Sequence, residues 1–147
     1  MKSMGFQWLD MRITEEQDRR KREAEIQERL PRALTEVHDS LQDCLACYTT
    51  AFGEESAELR LLPNRIAITV RDEQDGQWKQ RATVNVTADP ALPGFEIDSG
   101  KEPLIIEVGL LPGDKVFYRD RDHDKYIGMD ELTRRILDRA LFPKLGE

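Results

Sequence analysis

Two alternating runs joined by an Asp-Gly turn constrain this chain more than any other feature. Ile66, Ile68 and Val70 take every second position of residues 65–71. After the polar stretch 72–76, the pattern returns as Trp78, Gln80, Ala82, Val84, Val86 and Ala88. Strand side chains alternate with a period of two, so each run has one face for a core and one for solvent. Asp75-Gly76 tolerates the positive φ angles of a tight hairpin turn. The chain is thereby committed to an antiparallel hairpin covered on one face. The same alternation puts Lys79, Arg81, Thr83, Asn85 and Thr87 on the solvated face, with Lys79 and Arg81 opposite Arg65 and Arg71. Like charges facing one another across strands are mildly unfavourable.

More strand signals follow. Residues 95–98 and 104–111 pair across Ser99-Gly100, Pro112-Gly113-Asp114 turns the chain again, and 116–118 is β-rich. Leu59–Leu62 reads as a short strand or a lead-in, with Pro63-Asn64 as a bend. Short connections favour antiparallel pairing over parallel crossovers. The sheet is expected to have four to six strands.

Upstream, the period changes. Ile26, Leu30, Ala33, Val37, Leu41, Cys44, Tyr48 and Ala51 recur every three or four residues, widened by Leu34, Leu45 and Phe52. This is a long amphipathic helix. Pro31 removes one helical donor and disfavours helix at Leu30, so a kink or a fresh start is expected there; Gly53 ends the helix. A second helix is expected over about 130–142, with Leu132, Ile136, Leu137, Ala140 and Leu141 inward. The fold class is α+β: a long N-terminal helix, an antiparallel sheet and a C-terminal helix, both helices on one sheet face. Residues 26–147 form the single domain, and 1–25 an apolar segment followed by a charged helical arm.

That segment carries Phe6, Trp8, Leu9, Met11 and Ile13, read as a strand, a loop or a docking surface. Thr14-Glu15-Glu16-Gln17 reads as a capping box that starts the arm, and Arg19-Arg20-Lys21-Arg22 follows. Phe6, Trp8, Leu9, Met11, Arg19 and Arg20 are the candidate partner-binding residues.

Residues 120–131 hold the one dense chemical pattern. Asp120, Asp122 and Asp124 alternate, and Glu131 stands at position twelve counted from Asp120. These twelve residues resemble the calcium loop of the EF-hand family. The resemblance implies carboxylate oxygens from Asp120, Asp122 and Asp124, a backbone carbonyl from Tyr126, two oxygens from Glu131 and a small β-bridge at Ile127. The chain departs from the family at Lys125, where the loop carries Gly, and in the β-rich Val116-Phe117-Tyr118 where a helix would enter. The favoured reading is a strand, an acidic turn, a short return strand and a break at Gly128, with Asp130 or a neighbour capping the last helix.

The remaining chemistry is sparse. Cys44 and Cys47 form a CxxC spacing well inside the helical pattern, which favours core thiols over a redox or metal pair. Two histidines, His38 and His123, give little general-base capacity, and no Walker or dinucleotide loop is present. The reading leans away from an enzyme, and no cofactor is expected. A net charge of −7 opposes a broad phosphate-binding surface, so a nucleic-acid partner is not expected. The longest apolar runs are too short to span a bilayer, and no signal-peptide core is seen, so the expected location is cytoplasmic. The expected function is a non-enzymatic protein-interaction, chaperone-like or regulatory domain that self-associates, as a homodimer for instance, or binds another protein. The alternatives are calcium binding through 120–131 and a ligand or enzymatic pocket between the sheet and the long helix.

Overall fold

The computed structural model describes residues 5–113 and 115–145. Residues 1–4 of the apolar N-terminal segment and Asp114 of the expected turn lie outside that range. The elements run α1 (Gln7–Phe52), a 3-10 turn (Glu54–Ser56), β1 (Ala57–Leu62), β2 (Arg65–Gln74), β3 (Gln77–Asp89), β4 (Gly94–Asp98), β5 (Leu104–Leu111), β6 (Lys115–Asp120), β7 (Lys125–Ile127) and α2 (Met129–Leu141). The class is α+β, as the sequence implies. The sheet has seven strands rather than four to six, and all neighbours are antiparallel in simple chain order.

Register makes one buried face. Ile66 stands opposite Val86, Ile68 opposite Val84, Val86 opposite Ile97, Phe95 opposite Ile106, Val108 opposite Tyr118 and Tyr118 opposite Ile127. These side chains join Leu30, Leu34, Val37 and Leu41 of α1 and Leu132, Ile136 and Leu137 of α2 in a single core cluster. Each such side chain contributes roughly 1.5–3 kcal/mol on burial. The β2–β3 turn is as expected, with positive φ at Asp75 (53°) and Gly76 (78°).

Three local expectations are corrected. First, α1 neither begins at Thr14 nor restarts at Pro31. It runs unbroken for 46 residues from Gln7. The Thr14 hydroxyl donates back to the Asp10 carbonyl inside the helix. Pro31 is carried because Leu30, Ala33 and Leu34, on both sides of it, are buried against the sheet. The Thr35 hydroxyl bonds the Pro31 carbonyl one turn on. Second, α2 is capped at its N-terminus by Gly128 without a side-chain bond, and Asp130 lies inside the first turn.

Third, the arginines and lysine of the hairpin do not face one another. Val70 pairs with Ala82 but Arg71 pairs with Gln80, which leaves Arg81 as the extra residue of a β-bulge. Arg65 stands opposite Thr87, and Lys79 opposite Asp72. The bulge delivers the Arg81 guanidinium to Asp72 Oδ1 at 2.7 Å and to the Ala140 and Leu141 carbonyls at 2.5 and 3.0 Å. A cation at the negative end of α2 satisfies two carbonyls that no helical amide can reach.

Candidate functional site

The acidic turn is built around a buried carboxylate. Asp120 ends β6 on the core face opposite Ile106, and its side chain is 0% exposed. A buried carboxylate is costly unless it is paired and hydrogen-bonded. Asp120 Oδ1 accepts the backbone amides of Asp122 (3.1 Å) and His123 (3.3 Å), which folds the turn around it. Oδ2 lies 2.8 Å from His123 Nδ1 and accepts from the Arg135 guanidinium of α2. Burial alone raises the Asp120 pKa. The bonds from His123 and the charges of His123 and Arg135 outweigh it, so the carboxyl sits below its ordinary value. Arg135 also reaches Glu131 Oε1 at 3.2 Å.

The other residues of the calcium pattern lie elsewhere in this hairpin. Asp124 adopts the left-handed conformation (φ 49°), and its Oδ1 accepts from Arg119 at 2.9 and 2.5 Å. Asp122 is exposed, Tyr126 is an exposed strand residue of β7, and Glu131 lies in the first turn of α2. A strand, not a helix, leads into the loop. Among the described residues no group of three or more carboxylate, histidine or cysteine side chains converges on a point suited to a metal ion. The arrangement resembles a staple in which arginines hold the carboxylates. His123 stands at its outer edge, with a side chain that is 71% exposed. An imidazole oriented by a buried aspartate is half of a hydrolytic dyad, but no hydroxyl or thiol hydrogen-bonds to it among the described residues.

The candidate partner-binding residues form a coherent feature of a different kind. Every residue of 7–29 is exposed or half-exposed. Ile26 packs on the core and Gln27 Nε2 donates to the Pro90 carbonyl at 2.9 Å, so the projecting arm is 7–25. At about 1.5 Å per residue, that arm is roughly 28 Å long. Its tip exposes Phe6 (54%), Trp8 (66%), Met11 (65%) and Ile13 (43%), with Leu9 half-buried among them. Arg19 and Arg20 do not present a basic face. Arg19 bonds Glu16 and Glu23, Arg20 bonds Glu16, and Arg12 bonds Glu15. Sequence spacing missed this ladder because the basic run was read without its acidic neighbours at three and four residues.

A second apolar surface lies at the other end of α1. Tyr48, Phe52, Leu137, Leu141 and Phe142 line a groove of about 570 Å³ between α1 and α2. Tyr48 contacts Phe52 and Phe142 with ring centroids 4.8 and 5.7 Å apart. Cys44 and Cys47 sit on the same groove, free and exposed, not in the core. The core stripe runs through Leu41 and Leu45, one position away from the stripe that a strict three–four count from Leu41 to Cys44 traces.

Comparison with known proteins gives no match to a family model, to a curated protein or to a solved structure. No helix among the described residues is long and apolar enough to cross a membrane.

Proposed function

We propose that this protein is a non-enzymatic interaction domain that engages another polypeptide through the arm of α1. The partner its own surface offers is a second copy. The observation that carries the reading is the arm itself: a helical extension with no buried residue, ending in a cluster of large apolar side chains. Exposed apolar side chains scattered singly are ordinary, but a cluster at the end of a projecting helix is a contact surface. The groove at Tyr48, Phe52 and Phe142 supplies a complementary apolar site on the same chain. Arg12, Arg19 and Arg20 are paired with glutamates within the helix, so the apolar tip, and not Arg19 or Arg20, supplies the affinity. Asp120 and Asp124 serve on this reading to fasten β6, β7 and α2 rather than to hold calcium.

Light-scattering mass measured across a concentration series tests the reading. The full chain should exceed 17.0 kDa, while deletion of residues 1–25, or Trp8→Ser with Met11→Ser, should return a folded monomer. A full chain that stays monomeric and loses no pull-down partner on deletion of the arm overturns it. Calcium titration by calorimetry should give no heat at millimolar ion; a saturable heat abolished by Glu131→Gln would restore the calcium reading.

A further inference from the structure

Beyond the arm, a second opening lies between α1 and the β5–β6 hairpin. It is a cavity of about 640 Å³ bordered by Arg29, Arg32 and Glu36 of α1, by Gly113 and Lys115, and by Tyr118 of β6. Tyr118 is 6% exposed. Its hydroxyl is buried and has no hydrogen-bond partner among the described residues. The ring itself is fixed, stacked on Phe95 with centroids 6.2 Å apart. A tyrosine hydroxyl left unpaired under a packed core costs free energy that a phenylalanine would not, so its presence calls for an acceptor. Among the described residues, the charged groups around it are mostly cationic: Arg29, Arg32 and Lys115 against Glu36, in a chain whose net charge is −7. Arg32 and Glu36 touch only at 3.7 Å, outside hydrogen-bond range.

We propose that this cavity binds a small organic oxyanion, its charge held by Arg32 and Lys115 with Arg29 adjoining, and one oxygen accepting the Tyr118 hydroxyl. Glu36 accepts a hydroxyl or amine of the same molecule. Burial, and then the Glu36 charge, push the Tyr118 pKa up to about 12, so the phenol remains a donor throughout the neutral range. Phosphate monoesters and carboxylates share the required oxygens, and the cavity is within the size range of small-molecule sites.

Calorimetry on the full chain with inorganic phosphate, glycerol 3-phosphate and citrate tests the assignment and separates the two anion chemistries. At least one should bind with one-to-one stoichiometry, more weakly as salt rises. Tyr118→Phe should weaken that binding by about tenfold (~1.4 kcal/mol), while its melting temperature is unchanged or raised, because the lost hydroxyl has no partner among the described residues. Lys115→Ala should weaken binding similarly, and Arg121→Ala, outside the cavity, should not. The assignment is overturned if none of the three anions gives heat at millimolar concentration, if Tyr118→Phe binds as tightly as the parent, or if Arg121→Ala weakens binding as much as Lys115→Ala does.

Discussion

Arg135 of α2 bonds Asp120 of β6, two residues 15 apart in sequence, and that contact ties the last helix to the end of the sheet. Asp120 is fully buried and Arg135 largely so. The same carboxylate folds the 121–124 turn through two backbone amides. One side chain therefore sets the geometry of the hairpin and the position of α2, whose Leu132, Ile136 and Leu137 complete the core.

Removing either member of this pair leaves the other without its partner, and for buried pairs that is the costly event. Asp120→Asn and Arg135→Met should each lower unfolding free energy by about 3 kcal/mol. The double variant should lose clearly less than the sum of the two. Urea unfolding of the four proteins gives the coupling directly.

The pair also fixes a pH dependence. In the folded protein the Asp120 carboxyl lies below its ordinary value of 3.8. The unfolded chain therefore takes up this proton first as pH falls. The stabilisation is fully present above the ordinary carboxylate range and is lost as pH falls through the depressed folded value. The stability gap between the parent and Asp120→Asn should hold steady above about pH 5 and shrink below about pH 4. A gap that widens on acidification contradicts the assigned sign.

The sequence made the class and the hairpin readable because those depend on period and turn chemistry. Ile66, Ile68 and Val70 alternate without interruption, and Asp75-Gly76 admits one tight turn. The expected strand count falls short because Leu59–Leu62 reads as either a strand or a lead-in, and the three-residue return strand at 125–127 is taken with the acidic turn rather than counted in the sheet. The fresh start expected at Pro31 does not occur for another reason: the local penalty is offset by the burial of Leu30, Ala33 and Leu34, which propensity does not see. The bulge at Arg81 shifted a face that simple alternation could not place. At the candidate sites, the spacing of Asp120, Asp122 and Asp124 was visible, but the arginines that engage two of them come from β6 and α2. Cys44 and Cys47 were misplaced by one helical step, enough to turn a core position into a surface one.

Two glycines allow strands to meet closely, and they should differ in sensitivity. A Cβ at Gly94 would stand 2.1 Å from the Ile106 carbonyl oxygen, a backbone atom that cannot yield without parting β4 from β5. A Cβ at Gly109 would meet the Phe117 ring, also at 2.1 Å. That ring is half-exposed and can swing outward, losing its edge contact with Tyr126. Gly94→Ala should cost about 3 kcal/mol or fail to fold, and Gly109→Ala about 1 kcal/mol. Pairing Gly109→Ala with Phe117→Leu should recover part of that loss, whereas no side-chain change relieves Gly94→Ala.

The thiols offer a quick check on helix phase. Both cysteines are exposed on the α1–α2 groove. In the native protein without denaturant, Cys44 and Cys47 should both react with a soluble aromatic disulfide at rates near those of the unfolded chain. Protection of either thiol, relieved by denaturant, would mean that α1 is rotated relative to the core stripe through Leu41 and Leu45, or that the groove is covered in solution.

Hydrogen exchange along α1 should divide the helix in two. From Leu30 to Leu45 the helix is fastened by buried side chains and its amides open only with the fold. From Gln7 to about Glu25 it has no buried residue, and its side-chain ion pairs are exposed and weakened by salt. An unsupported helix of about this length is marginal in water. Arm amides should therefore exchange orders of magnitude faster than those of 30–45 in dilute solution, and faster still in 1 M salt, with the boundary near Ile26, where packing on the core begins. Self-association through the arm adds a second signature: protection of residues 7–13 should rise with protein concentration, and Trp8→Ser with Met11→Ser should abolish that rise while leaving 30–45 unchanged. An arm that stays protected at every concentration would be stable by itself and would remove the link between its order and its partner.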